Sequence, residues 1–379
     1  MDAIFGAEHE ELRSAIRRFL ERKSPESEVR RLMETTAGYD PAVWSQMADQ
    51  LGLQGLIIPE RFGGSGYGYV ELIVVLEEMG RALLCAPYFS SVVMAANLLM
   101  ACGDDGAKKD YLPGIAGGSV IATVALAEAD GCWDEACVAL RADDRGGCWT
   151  LTGEKLFVFD GTAADVVLAA ARTPGGVSVF TVEKGAAGLS ASPLPTLDQT
   201  RKQARLTFDS TPARLVGAEG EAWPAISAML DLAVVALAAE QAGGAQKVLE
   251  MAVEYAKARV QFGRAIGSFQ AIKHKCADMV LEVESAKSAA HYAGRAAAAG
   301  DEELPVLASL AKSRCSEAYS RVAAENIQVH GGIGFTWEHP AHLYFKRAKS
   351  SELMFGDPGY HRELLLQRLG LLTVATCLP

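Results

Sequence analysis

The sequence predicts an α+β multidomain protein: an N-terminal α-helical domain over residues 1–118, a middle β-barrel or sandwich domain over 119–223, and a C-terminal four-helix bundle over 224–379. Three observations predict that order. Helical periodicity runs through the first and last segments, short apolar runs broken by glycine and proline fill the middle, and the last segment is rich in alanine. Half of the 379 residues are hydrophobic and 22% are charged, which is ample for a large buried core.

In the first segment Leu12, Ile16, Phe19 and Leu20 fall on one helical face, and Leu72, Val75, Leu76 and Met79 on another. Pro59, Gly63-Gly64 and Gly66 separate these helices. In the middle segment, the runs 166–171 and 177–182 are joined by Pro174-Gly175-Gly176 and read as a hairpin. Residues 149–151 and 205–208 add strand-like runs, so a small antiparallel barrel or sandwich fits. In the last segment Val248, Met251, Ala252 and Tyr255 share a face. So do Met279, Val283, Ala286, Ala290 and Ala293, and likewise Ala308, Ala311, Cys315, Ala318 and Val322. Small residues at that spacing suit close antiparallel helix packing.

A net charge of −11 argues against a nucleic-acid or anionic-membrane partner, because such partners select clustered Lys and Arg. The eight cysteines include no CxxC pair and no Cys/His group at metal-ligand spacing, so they read as reduced thiols and no metal site is expected. The charged N-terminus is unlike a signal peptide. Residues 226–239 read as too short and too rich in alanine to span a bilayer. A cytoplasmic location is expected.

Two segments carry more information. Arg259-Val260-Gln261-Phe262-Gly263-Arg264-Ala265-Ile266-Gly267-Ser268-Phe269-Gln270 leaves one helix, turns through two glycines and enters another. An Arg with two amide side chains at one turn suits a pyrophosphate-bearing ligand. On spacing alone, a plain helix–helix corner with Arg259 capping carbonyls is the better reading. Gln328-Val329-His330-Gly331-Gly332-Ile333-Gly334-Phe335 ends a long helix on glycines, as a positive-φ cap requires.

Taken together, these two runs resemble two signatures of the flavin-dependent acyl-CoA dehydrogenases. The helices–strands–helices order extends the resemblance over nearly the whole chain, and Pro59-Glu60-Arg61-Phe62-Gly63-Gly64 is similar to a loop of that family's N-terminal domain. The resemblance implies FAD shared between two subunits. Arg259, Gln261 and Phe262 would face the diphosphate with Phe269 and Gln270 nearby, and Gln328, Gly331 and Gly332 would border the adenosine end.

The resemblance also exposes departures. The reaction needs a carboxylate to remove the substrate's α-proton in a dry pocket. The family's usual Glu, shortly after an Arg-x-Ala-Lys-like run (here Arg347-Ala348-Lys349), is matched by Phe355, and the minority position by Ala233. Three other carboxylates are nearby in sequence. Glu240 lies two helical turns after Ala233, about 10 Å along the axis, and Glu352 and Asp357 flank Phe355. Glu352 reads otherwise as a solvated charge and Asp357 as a turn former. The flavin-facing loops change too. The family's Thr-Glu-Pro-x-x-Gly-Ser-Asp stretch is matched by Ala127-Glu128-Ala129-Asp130-Gly131-Cys132-Trp133-Asp134, and its Trp-Ile-Thr by Phe157-Val158-Phe159. Hydroxyl donors are lost and bulk is added.

Retained features belong to the half-site that a subunit offers its neighbour, and lost ones to the half-site it would use itself. The sequence therefore resembles the Glu-lacking subunit of actinobacterial heteromeric acyl-CoA dehydrogenases, which form heterotetramers with two copies of each subunit. That implies a second family member as partner, an acyl-CoA substrate (for several such enzymes a steroid side-chain thioester), and an electron-transferring flavoprotein as acceptor. The alternatives are a self-sufficient homotetramer using Glu240, Glu352 or Asp357 as a displaced base, a flavin-free scaffold, or a flavin oxidase or monooxygenase.

Overall fold

The computed structural model describes residues 6–372. In chain order the helices α1 (Ala7–Lys23), α2 (Glu26–Met33), α3 (Pro41–Leu51), α4 (Tyr69–Arg81), α5 (Asn97–Ala101) and α6 (Asp105–Ala116) come first. Seven strands follow: β1 (Ala122–Ala125), β2 (Arg141–Asp144), β3 (Trp149–Phe159), β4 (Val166–Thr173), β5 (Gly176–Glu183), β6 (Leu189–Pro193) and β7 (Gln203–Val216). Then come α7 (Trp223–Ala258), the two-residue strands β8 (Val260–Gln261) and β9 (Arg264–Ala265), α8 (Gln270–Ala299), α9 (Leu304–His330), α10 (Ala341–Leu353) and α11 (Pro358–Arg368). The expected helices–strands–helices order is observed.

The chain forms two compact units, and α7 belongs to both: one unit takes α2, α3, α5, α6, the strands β1 to β7 and α7 up to Ala233; the other takes α1, α4 and everything from Val234 onward.

In the strand unit, β4, β2, β3, β7 and β5 hydrogen-bond in a closed ring, with β1 added on β4 and β6 on β7. The predicted hairpin is β4–β5, with Thr173 paired to Gly176 across the turn. The sheet is mixed rather than purely antiparallel, because β1 and β2 both run parallel to β4. Parallel neighbours need a long connection, and here β2 and β3 form it between β1 and β4. Leu140, Leu151, Phe180, Leu206 and Phe208 fill the interior, each large side chain contributing roughly 1.5–3 kcal/mol by leaving water. Helix α3 shows how local signals set its ends. Asp40 accepts from the Ala42 and Val43 amides, Pro41 opens the first turn, and Gly52 closes it at φ +61°.

In the helical unit, the predicted faces of α8 and α9 are buried from Met279 to Ala293 and from Ala308 to Val322. Small residues allow the close approach: a Cβ on Gly243 would fall 1.9 Å from the Glu77 carbonyl oxygen of α4, and one on Gly294 2.5 Å from Ile73. Residues 226–239 are not a short isolated run, as the sequence reading had it. They lie inside a 36-residue helix long and apolar enough to cross a membrane, but 72% of its most apolar window is buried within the fold. That burial identifies α7 as a core helix.

Candidate functional site

The corner between α7 and α8 is a hairpin. Strands β8 and β9 pair across a two-residue turn in which Phe262 and Gly263 both have positive φ, +53° and +77°; such turns match the twist of the flanking strands. The Ile266 amide donates to the Arg259 carbonyl (2.8 Å), closing the corner, and the Arg259 amide donates to the Tyr255 carbonyl (2.8 Å). Arg259 is therefore tied down by its backbone while its side chain stays exposed. Gln261 and Gln270 are exposed as well, and the Gln261 side-chain amide donates to the neighbouring Val260 carbonyl (2.9 Å). Phe269 is the N-cap of α8, with Phe262 edge-on to it at 6.1 Å and the Arg264 guanidinium over its ring at 4.1 Å.

The second signature lies at the end of α9. Gln328, Gly331 and Gly332 are all exposed, Gly331 has φ +65°, and a Cβ on either glycine would meet no atom within 4 Å. The sequence reading missed what joins the two signatures. The His330 ring stacks between Tyr255 of α7 (4.2 Å) and His339 (4.3 Å). His330 donates from Nδ1 to the Asn326 carbonyl (2.9 Å), and burial lowers its pKa, so it packs as a neutral ring. Its place one residue before the glycine pair was the only signal. Phe262 (92%), Phe335 (78%) and Trp337 (56%) are exposed apolar side chains in or beside the two signature segments.

The loop between α10 and α11 is built differently. Phe355 has φ +59° yet is only 2% exposed, and Gly356 follows at φ +101°. The buried Lys312 ammonium of α9 donates to the carbonyls of Ser351 (3.1 Å), Glu352 (2.9 Å) and Gly356 (3.0 Å). Burial pushes Lys312 down to about 7. His361 donates from Nε2 to the Phe355 carbonyl (2.9 Å), and burial, with Lys312 nearby, pushes it down to about 4. A Cβ on Gly356 would strike the Tyr360 ring at 2.2 Å.

Each of the three alternative carboxylates has a structural partner. Glu240 pairs with Arg347 at 2.8 Å, both side chains almost fully buried. Glu352 pairs with Lys349 at 2.8 Å and accepts from the Ser320 hydroxyl. Asp357 is the N-cap of α11, accepting from the Tyr360 amide at 2.7 Å. Ala233 is fully buried in α7.

At the barrel edge, Ala127 is buried and its carbonyl accepts from the Leu156 amide (3.0 Å). The Glu128 carboxylate accepts from the Ala139 and Leu140 amides and from Lys155 (2.7 Å), a lysine whose pKa is lowered by burial. Phe159 is buried, Phe157 sits at φ +56° and is 38% exposed, and Trp133 is half-buried. Cys132 and Cys137 are joined by a disulfide, which corrects the expectation that all cysteines are reduced. Their five-residue separation matches no motif that marks a bridge.

The sequence matches family profiles of the acyl-CoA dehydrogenase N-terminal domain over residues 6–119, the middle domain over 123–211 and the C-terminal domain over 220–370. The acyl-CoA dehydrogenase IpdE2 of Mycobacterium tuberculosis is 35% identical over 94% of this chain and 95% of its own length. Among solved structures, the ChsE4-ChsE5 complex from Mycobacterium tuberculosis superposes with a TM-score of 0.89 at 28% identity, covering 99% of this chain and all of that one. A variant of the Tcur3481-Tcur3483 steroid ACAD gives 0.86 at 32% identity, covering 96% and 98%. The chain belongs to the acyl-CoA dehydrogenase family.

Acyl-CoA dehydrogenases are oxidoreductases, and membership implies FAD. The signature surface fits part of that cofactor chemically. Arg259, Gln261, Gln270 and Gln328 are exposed donors of the kind that bind diphosphate oxygens, and Gly331 and Gly332 leave room for close backbone approach. The barrel edge of this acyl-CoA dehydrogenase does not fit the flavin ring in the same way. Positions 127, 133, 157 and 159 carry no hydroxyl, and the nearby Thr123 hydroxyl donates to the Phe159 carbonyl (2.6 Å).

Proposed function

We propose that this chain is a subunit of a heteromeric acyl-CoA dehydrogenase that completes an FAD site on a catalytic partner, itself a second member of the family. The observation that carries this reading is the state of the carboxylates. Phe355 and Ala233 stand at the two base positions, and Glu240, Glu352 and Asp357 are each committed to an ion pair or a helix cap. A carboxylate held by a buried arginine is a poor base, because the positive charge favours its ionised form.

In this reading Arg259, Gln261 and Phe262 meet the diphosphate, with Phe269 and Gln270 beside them, and Gln328, Gly331 and Gly332 border the adenosine. FAD, when bound, supplies hydride acceptance for α,β-desaturation of an acyl thioester. This chain's own part is to bind and orient: Arg259 neutralises phosphate charge, the glutamine amides donate to oxygens, and the exposed Phe262, Phe335 and Trp337 seat against the partner and exclude water. The two subunits would assemble as a heterotetramer with residues 224–379 as its core and residues 1–118 and 119–223 as the preceding domains. Similarity to the Tcur3481-Tcur3483 steroid ACAD supports a steroid-derived acyl-CoA as substrate. An electron-transferring flavoprotein as acceptor and a cytoplasmic location complete the proposal.

The test is desaturation of a steroid side-chain CoA thioester by this chain alone, by a Glu-bearing family member alone, and by the two co-expressed. Turnover only with both supports the proposal. Turnover by this chain alone, lost on Glu240→Gln or Glu352→Gln, would establish a displaced base instead.

A further inference from the structure

The segment between Leu126 and Leu140 is tied at its base and closed at its tip. At the base, Glu128 gathers the Ala139 amide (2.9 Å), the Leu140 amide (2.8 Å) and the Lys155 ammonium (2.7 Å), while Lys155 also donates to the Leu126 carbonyl (2.8 Å). Along its returning side, Arg172 donates to the carbonyls of Val138 (2.9 Å) and Glu135 (2.6 Å). These contacts hold the stem without help from sulfur. At the tip, Cys132 and Cys137 are bonded to each other across a loop that contains Trp133. Both cysteines are half-buried, so a small reagent can reach them.

We propose that Cys132 and Cys137 form a reversible dithiol–disulfide pair, a redox modification site that locks the segment carrying Trp133 when oxidised and frees it when reduced. The inference stands on this unit alone and does not depend on the subunit role proposed above. A bridge that closes a loop this short constrains the unfolded chain little, because loop-closure entropy grows with loop length. Its effect is therefore local, and the Glu128 and Arg172 contacts keep the barrel folded in either state.

Acidic side chains lie beside the pair. Asp130 accepts from the Cys132 amide (3.2 Å), and its carboxylate lies within 4.8 Å of both sulfurs. Asp134 and Glu135 follow in the same loop. Asp130 brings no positive charge that would stabilise a thiolate, the feature that makes some disulfides strong oxidants. Two other thiols are less suited: burial pushes Cys315 up to about 12 and Cys102 up to about 11.

The oxidant is a small-molecule disulfide such as oxidised glutathione. One cysteine thiolate attacks it and expels a first glutathione thiolate. The second cysteine then attacks the mixed disulfide, the Sγ–Sγ bond forms and a second glutathione leaves; the two thiol protons end on the two released thiols. The cysteine pair is oxidised by two electrons and the glutathione disulfide reduced by two.

The full-length protein is equilibrated in glutathione mixtures of graded ratio, quenched in acid, denatured and alkylated, and its peptides are weighed. The expected result is a fall from eight alkylated cysteines to six in one two-electron transition, with residues 132 and 137 in a linked peptide two hydrogens lighter. Amide exchange across residues 129–138 should be faster in the reduced protein, with the rest of the barrel unchanged. The Cys132→Ser/Cys137→Ser variant should behave as the reduced form in all conditions; if it does not fold, wild type held in phosphine reductant gives the same comparison. Alkylation of both cysteines in oxidised glutathione overturns the proposal. So does protection that zinc confers and a chelator removes, which would make Asp130, Cys132 and Cys137 a metal site. Equal exchange rates in both states would also overturn it.

Discussion

Phe262 and Phe355 share an unusual backbone, each followed by a glycine at positive φ, but not an environment. Both sit at positive φ, +53° and +59°, where a side chain that is not glycine costs of the order of 1 kcal/mol or more. Phe262 is 92% exposed at the α7–α8 corner, and Phe355 is 2% exposed at the α10–α11 loop. The buried loop is held by a lysine, a histidine and a close glycine from its own chain, so its geometry is complete as it stands. The exposed corner is held by its hairpin and by the contacts of Phe262 and Arg264 with Phe269, while Arg259, Gln261 and Gln270 are exposed. One region is finished internally, and the other is shaped to meet something else.

The largest effect should come from breaking the buried ion pair between α7 and α10. Glu240→Gln removes the carboxylate paired with the buried Arg347 guanidinium, and a loss of about 3–5 kcal/mol is expected in denaturant unfolding. Loss of turnover with stability unchanged would instead identify Glu240 as chemically active. Next is Arg259→Ala at the outward-facing corner. Its side chain is exposed, so folding should be unaffected. FAD retention by the co-expressed complex should weaken about ten- to hundredfold, the worth of a charge-assisted contact of about 1.5–3 kcal/mol; unchanged retention in a titration of flavin fluorescence would remove Arg259 from the cofactor contacts.

A smaller, pH-dependent effect separates the two loops further. His361 stays neutral in the fold down to about pH 4, whereas the unfolded chain protonates near the ordinary value of 6.5. Between those values the unfolded state binds more protons, so stability falls as pH drops from 6.5 through 4. His361→Gln should flatten that slope by about 1–3 kcal/mol, whereas His330→Gln at the corner should flatten it less. The smallest effect is expected for Phe262→Gly. Relief of the positive φ should leave the isolated chain within about 1 kcal/mol of wild type. Assembly with the partner, read by native mass spectrometry, should weaken.

How far these regions were legible in the sequence follows from the same physics. The faces of α8 and α9, the β4–β5 hairpin and the α7–α8 corner repeat local signals: periodicity, turn residues and paired breakers. Strands β1 and β2 were not legible, since Ala122–Ala125 is four residues long and Arg141–Asp144 is charged, and the parallel pairing to β4 comes from tertiary closure of the barrel. Lys312 sits one residue beyond the alanine face of α9 and reads as a solvated charge until its carbonyl partners are seen. The Glu240–Arg347 pair joins residues 107 apart, and no local pattern announces it. That positions 355 and 233 carry no carboxylate has meaning only against the family's pattern, since nothing in a phenylalanine or an alanine marks one.

The central claim is that this chain offers half of an FAD site and keeps none for itself. Its most direct test is FAD content per chain, measured on the protein purified alone and then co-expressed with its Glu-bearing partner. Little flavin alone, rising to about one FAD per two chains in the complex, is the predicted result for a site that needs charged donors from both subunits. One tightly bound FAD per chain in the isolated protein would contradict the account and return Glu240, Glu352 and Asp357 as candidate bases.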